Sequence, residues 1–322
     1  MAENSKIEWC DHTFNPWIGC SKVSPACDNC YAEAYDKRFG GERWGVHAPR
    51  RLTSDVNWER PLSWNRKAAK EGKRYRVFCA SLADVFDNHS SIQPEWRARL
   101  WELIERTPNL DWLLLTKRPQ NIQKLVPWEW FFPINVWIGT TVEDQKTADQ
   151  RIKHLSKIPQ AVRFLSCEPL IGPVDLTNVE WFDGLRFNAL EGKLHGDTGY
   201  VFELEWVIAG GESGAKARPS HPDWFRSLRD QCASCPTPFL FKQWGNWVPM
   251  LDRDKDDPDW RGPYGRANSR PNQYRIINLE GGCGFHGERV HLMRRCTKRA
   301  AGRQLDGVEH TAFPNLAKEV AA

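Results

Sequence analysis

Three cysteines, Cys20, Cys27 and Cys30, fall within one stretch, "NPWIGCSKVSPACDNCYAEAYDKRFGG". Cys27 and Cys30 form C-x-x-C, a spacing that lets two thiolates face the same metal. Cys20 precedes them across "SKVSPA", where Pro25 enforces a turn that folds the loop back. Zinc, an iron–sulfur cluster, a disulfide or no bound group at all are the open alternatives. A structural zinc site takes four ligands. The fourth would come from Cys10, His12 or a distant His or Cys, and no second C-x-x-C stands at finger spacing. "CASC", with Cys232 and Cys235, ends an expected helix and reads as two ordinary thiols. A [4Fe–4S] cluster is commonly held by four cysteines, so three leave one iron open to a substrate or cofactor. His12, His89, His221 and the other histidines show no metal spacing and read as caps, surface or core residues.

The chain has 322 residues, 40% hydrophobic and 27% charged, which is the composition of a globular protein with room for one large domain or two ordinary ones. No apolar run approaches the roughly 18–20 residues of a membrane span. The start, "MAENSKIEWC", lacks the apolar core of a secretory signal. The expectation is a cytoplasmic protein with no membrane partner, whose ten cysteines are metal ligands or buried thiols before they are disulfides. A net charge of +4 is too weak to establish a nucleic-acid partner without clustering on one face. The 17 Trp read first as core residues, with a stacking surface for a base as the alternative.

The elements that must position these residues follow a repeating pattern. Short apolar runs stand at "YRVFCAS" (75–81), "LDWLLLT" (110–116), "NVWIGTT" (135–141), "VRFLSCE" (162–168), "EWVIAGG" (205–211) and "PFLFKQ" (238–243). Each is apolar at consecutive positions, as in a strand buried on both faces. Helical signals lie between them. "PEWRARLWELIERT" places Trp96, Leu100 and Leu103 on one face, and "DQKTADQRIKHL" groups Ala148, Ile152 and Leu155 behind a cap at Asp144. "SHPDWFRSLRDQ" carries Ser220 and Asp223 at capping-box spacing. After the cysteines, "YAEAYDKRFGG" puts Tyr31, Tyr35 and Phe39 on one helical face and ends at Gly40-Gly41.

Strand–helix alternation predicts parallel strands with right-handed crossovers. The fold class expected is α/β, a complete or partial (β/α) TIM-type barrel, with an open doubly wound sheet as the alternative. The strand ends carry Ser81 and Asp84, then Lys117 and Arg118, Thr140 to Glu143, Ser166 and Glu168, Gly210-Gly211-Glu212, and Lys242-Gln243. Polar groups at so many strand ends are what the C-terminal face of a barrel gathers. Residues 1–250 read as the barrel, with the three-Cys loop at 20–30 and an insertion around 178–204. Residues 251–322 read as a C-terminal β-hairpin, two strands around a Gly-rich turn, and a basic extension with Arg294, Arg295, Lys298, Arg299 and Arg303. That run is a solvated surface or a phosphate-binding edge.

A three-cysteine loop after the first strand of a (β/α) barrel resembles the radical S-adenosylmethionine enzymes, although their spacing is C-x-x-x-C-x-x-C and this chain has C-x6-C-x-x-C. A closer resemblance covers nearly the whole chain. "SKIEWCDHTFNPWIGCSKVSPACDNCYAE", "LLLTKRP", "VWIGTTVEDQ", "VRFLSCEPLIGPVDL", "WVIAGGESG" and "KRAAGRQLDG" are similar to the phage-associated three-Cys-motif proteins, a family of unknown function that looks like a divergent radical-SAM barrel. The resemblance implies a [4Fe–4S] cluster on Cys20, Cys27 and Cys30. It also implies S-adenosylmethionine cleaved to a 5′-deoxyadenosyl radical, and a separate three-Cys-motif partner protein. Ser81, Asp84, Gly210, Gly211 and Glu212 become cofactor-binding candidates, with Glu212 or Asp84 facing the cofactor ammonium. The pair Gly210-Gly211 also reads as a tight turn with φ > 0.

Lys117, Arg118, Glu168 and Lys242 are pocket candidates for a carboxylate, a phosphate or a ribose hydroxyl; the alternative is that the cations pair with Glu143, Glu168 or Glu212. Nucleic acid or a nucleotide-like molecule is the expected substrate class. The rival reading is a zinc or non-catalytic iron–sulfur module of phage origin that binds nucleic acid or protein.

Overall fold

The computed structural model describes residues 3–128, 131–159, 162–196, 199–254, 265, 267, 269–282 and 289–315. The chain divides into two compact units, Met1–Thr141 with Arg151–Phe164, and Val142–Gln150 with Leu165–Ala322.

Seven strands form one sheet: β1 (His12–Phe14), β2 (Tyr75–Cys79), β3 (Leu110–Thr116), β4 (Val136–Thr141), β5 (Val162–Cys167), β6 (Trp206–Gly210) and β7 (Phe239–Gln243). They neighbour one another in chain order from β1 to β7. Parallel registers join β1 to β2, β2 to β3, β3 to β4 and β6 to β7. Among the described strands the order does not reverse, unlike that of an open doubly wound sheet at its switch point. Sequential parallel neighbours make the α/β fold compatible with a partial (β/α) barrel.

In the first unit the core follows from the apolar runs. Leu110, Trp112, Leu113 and Leu114 of β3 are all fully buried, so both faces of the strand are covered. Trp112 Nε1 donates to Thr107 Oγ1 at 3.0 Å, which satisfies the one polar atom the indole brings inside. Helix α1 spans Tyr31–Arg38, α2 Asp55–Glu71 and α3 Pro94–Glu105. In α3 the buried face is Leu100, Trp101, Leu103 and Ile104, while Trp96 is half-buried. The aromatic face of α1 is exposed, and Ala32 and Asp36 are its buried residues. The run "TFNPWIG" is two strands, because Asn15-Pro16 interrupts it: Trp17–Ile18 leaves the main sheet and pairs antiparallel with Arg51–Leu52. Every described Trp is buried or half-buried, which favours the core reading over a base-stacking surface.

Helix α4 spans Gln145–Leu155, and Asp144 Oδ1 accepts from Thr147 N at 2.8 Å, the expected cap. In the second unit α5 spans Pro222–Ala233 and buries Trp224, Phe225, Leu228 and Cys232. The expected capping box does not form. His221 is the cap, its Nδ1 accepting from Asp223 N at 3.2 Å, while Ser220 Oγ donates to Leu170 O at 2.6 Å. Segment 178–204 carries three short antiparallel strands, Val179–Glu180, Arg186–Asn188 and Lys193–Leu194. Near the C-terminus, β8 (Trp247–Asp254), β9 (Tyr274–Asn278) and β10 (Arg289–Arg295) form an antiparallel sheet in the order β8-β10-β9, so β10 has a partner on each side. Residues 283–288 of the expected turn and residues 316–322 lie outside the described residues. After β10 the chain returns to β7: Phe241 N donates to His310 O at 3.0 Å and Ala312 N to Phe239 O at 3.3 Å.

Asp306 ties this returning segment to α5. It accepts from Arg226 Nη2 at 2.8 Å and Arg229 Nη1 at 2.6 Å. The hydrogen bond from Arg226 is the largest cause holding the Asp306 carboxyl below its usual range. The unfolded chain therefore takes up the proton first as the pH falls. The stabilisation is present above the ordinary aspartate value of about 4 and is lost as the pH drops through the lower folded value. Asp306→Asn is expected to lower the Tm at pH 7 by about 1–2 °C, a small effect because the ion pair is partly solvated. Melting curves across pH should show the difference shrinking below about pH 4.

Candidate functional site

The cysteine loop is built by local constraints. Gly19 holds φ +120°, and a Cβ there would stand 2.6 Å from Arg43 O and 2.8 Å from Arg50 Cδ, so only glycine fits before Cys20. Cys20 N donates to Arg43 O at 3.2 Å, and Gly45 N donates to Cys20 O at 2.9 Å. Pro25–Cys27 is a 3₁₀ turn, with Cys27 N donating to Ser24 O at 2.9 Å. Cys30 is the N-cap residue of α1, and its carbonyl accepts from Ala34 N at 3.1 Å. All three thiols are free and half-buried. The loop thus presents a strand-end thiol, a turn thiol and a helix-start thiol on a backbone held at each.

Among the described residues the metal-ligating side chains gathered within 4.8 Å of one another are His221, Asp223 and His291, and the three cysteines form no such group. As a donor set, three thiols are of the kind a [4Fe–4S] cluster takes, with one iron left open.

Beside Cys20 lies a buried charge network. Arg118 Nη1 stands 3.7 Å from Cys20 Sγ and donates to Asp84 Oδ2 at 2.9 Å, while Nη2 donates to Ser21 Oγ at 2.8 Å and Ser21 O at 3.0 Å. Asp84 accepts three more donors: Thr116 Oγ1 at 2.7 Å, Phe86 N at 2.9 Å and Lys117 N at 3.2 Å. Asp87 lies 3.7 Å from Arg118 Nη2 and accepts from Arg50 Nε at 3.0 Å and Nη2 at 2.8 Å. Burial pushes the Cys20 thiol up to about 12, Asp84 adds to the rise, and Arg118 opposes it. A metal at Cys20 must displace that proton. Burial disfavours the Arg118 charge, but Asp84, Cys20 and Asp87 outweigh it and hold the guanidinium above its ordinary value.

Other expected residues of this unit sit nearby in the chain's own bonding. Ser81 Oγ accepts from Asn15 Nδ2 at 3.0 Å, and Ser81 O accepts from Tyr31 Oη at 2.6 Å, which joins the end of β2 to α1. Lys117 Nζ donates to Thr141 Oγ1 at 3.3 Å and forms no ion pair among the described residues. Sequence reasoning did not single out Ser21, Asp87 or Arg50. The signal available was the doubled acid in "ADVFD", whose second carboxylate needs its own cation once both are buried.

In the second unit Glu168 accepts from Lys242 Nζ at 2.7 Å and Gln243 Nε2 at 2.8 Å. This is the ion pair anticipated as the alternative for Lys242. Glu212, buried, accepts from Arg218 Nε at 2.9 Å, Nη2 at 2.6 Å and backbone N at 2.7 Å. Arg118 and Glu212 thus pair with Asp84 and Arg218, partners outside the expected set. Gly210 and Gly211 do not have positive φ, so the tight-turn explanation is replaced by close packing: a Cβ on Gly211 would stand 2.1 Å from Trp244 O.

Among the described residues, no helix is long and apolar enough to cross a membrane. Neither the curated proteins nor the solved structures contain a significant match to the chain. Residues 4–314 match the family described as "Protein of unknown function (DUF5131)". That match runs from before the cysteine loop to beyond the segment that returns to β7, and the chain belongs to this family.

Proposed function

We propose that the protein is an iron–sulfur enzyme of the radical S-adenosylmethionine type, with a [4Fe–4S] cluster held by Cys20, Cys27 and Cys30 and a nucleotide-like or nucleic-acid substrate. The observation that carries this reading is the loop: three free, half-buried thiols on one short stretch that leads into α1. The bound cofactors would supply one-electron chemistry. The chain's own residues orient and neutralise. Arg118 fixes the Cys20 side of the loop through Ser21 and places a positive charge beside its sulfur. Lys117 offers an ammonium for a carboxylate or phosphate. Asp84 and Glu212 each hold a guanidinium, so a cofactor ammonium at either would compete with an arginine. Arg294, Lys298 and Arg299 are exposed at and after the end of β10, which suits phosphate contacts. A phage setting and a three-Cys-motif partner belong to the same reading, carried by the resemblance.

Anaerobic purification tests it. Brown protein with about four iron per chain is expected, and reduction with S-adenosylmethionine should release 5′-deoxyadenosine. Cys27→Ala should lose the colour and the cleavage together. Stoichiometric zinc without iron in the anaerobic protein would overturn the reading in favour of a binding module, and cleavage surviving in Cys27→Ala would remove the ligand assignment.

A further inference from the structure

A second group of metal-ligating side chains gathers in the second unit. His221, Asp223 and His291 each place a ligand atom within 4.8 Å of the others. Asp223 Oδ2 stands 3.9 Å from His221 Nδ1 and 3.9 Å from His291 Nε2. Both imidazoles are fully buried, and their rings meet edge to face with centroids 4.4 Å apart. The carboxylate is held by its other oxygen, since Asp223 Oδ1 accepts from Arg226 Nη1 at 2.7 Å. Arg226 is itself anchored on Asp306 at 2.8 Å. The N-cap and the first turn of α5 supply His221 and Asp223, and β10 supplies His291.

We infer that these three side chains bind one divalent first-row transition ion. Two imidazoles and a carboxylate are the donor set of catalytic zinc and of non-haem iron sites. An ion about 2.1 Å from nitrogen and oxygen sets tetrahedral neighbours about 3.4 Å apart, so each histidine–Asp223 pair at 3.9 Å needs to close by about half an ångström and the two imidazole nitrogens, within 4.8 Å of each other, by at most about 1.4 Å. His221 Nδ1 now accepts the Asp223 backbone N–H at 3.2 Å, and the ion takes over that lone pair in exchange for the cap. Arg226 and Asp306 form the outer layer that orients the carboxylate, as outer partners do in established metal sites. Three protein ligands leave a fourth position for water or a small anionic ligand. Sequence spacing could not show this, because His291 comes from a strand far along the chain and "HPD" alone has no metal signature.

Cobalt(II) titration of the full chain tests the inference independently of the cysteine loop, because thiolate ligation gives intense near-ultraviolet charge transfer and nitrogen–oxygen ligation gives weak visible bands only. One equivalent should produce the visible bands. Cys27→Ala should retain them. His291→Gln should weaken binding by about 100-fold and Asp223→Asn by about 10-fold or more. Asp223→Asn preserves the side-chain volume and reads the site even where His291→Gln fails to fold. Absence of the visible bands in the native chain, or their undiminished survival in Asp223→Asn, overturns the inference.

Discussion

Asp84→Ala is expected to destabilise the protein by about 3–5 kcal/mol, the range for stranding one partner of a buried ion pair. The carboxylate serves four donors at once: Thr116 Oγ1, Phe86 N, Lys117 N and Arg118 Nη1. Both side chains of the Arg118 pair are only 7% exposed, so water does not replace what is lost. Arg118 would keep Asp87 at 3.7 Å, but Asp87 is already committed to Arg50. Urea titration of wild type, Asp84→Ala, Arg118→Ala and the double variant checks this. The double variant should cost clearly less than the sum of the singles, because each single leaves a buried charge unpaired and the double does not. A cost below about 1 kcal/mol for Asp84→Ala would mean that the network is solvated and the account is wrong. The same variant should also expose Cys20 to faster thiol alkylation, since Arg118 and Ser21 hold that end of the loop through Asp84.

Gly211→Ala is expected to cost about 2–4 kcal/mol, because the methyl meets backbone and not the end of a flexible side chain. Its Cβ would stand 2.1 Å from Trp244 O and 2.7 Å from Trp244 C. Gly245 makes the reciprocal demand, with φ +80° and a Cβ 2.1 Å from Glu212 O. Gly210→Ala meets Glu168 Cδ at 3.3 Å, a side chain that can give, and should cost about 1 kcal/mol or less. Denaturation midpoints of the two variants decide between a packing role and a turn role for the pair. Equal costs would remove the packing explanation.

The strands were legible because each is a continuous apolar run: "LDWLLLT" is β3 residue for residue, and β7 and α3 lie within a residue or two of their expected bounds. Helix α2 was not, since Pro61 stands in its interior and disguises the periodicity. Single candidate residues were legible from their chemistry, but their partners were not. Arg118 and Asp84 meet because β2 and β3 pair with Cys79 opposite Leu114, so the residues following the two strands emerge side by side. That register is a property of the sheet, and residue types along one chain do not contain it. The exposed aromatic face of α1 shows the same limit: Tyr31, Tyr35 and Phe39 share a side at helical spacing, yet the side that faces inward is the one bearing Ala32 and Asp36, where Asp36 pairs with Arg43.

Among the described residues the order of the seven strands places β1 and β7 at its two ends. At the β7 end the returning segment around His310 and Ala312 occupies the free backbone groups of Phe239 and Phe241, and Trp206 Nε1 donates to Ala312 O at 2.9 Å to hold it there. Phe313 seals it against the Trp206 ring at 4.9 Å. Removing residues 308–322 would bare an apolar strand whose amides and carbonyls then match those of a second copy. Such a shortened chain should come out of cells as insoluble material or as edge-joined oligomers even with its cysteine loop intact. The last described residues therefore act as a built-in guard against self-association.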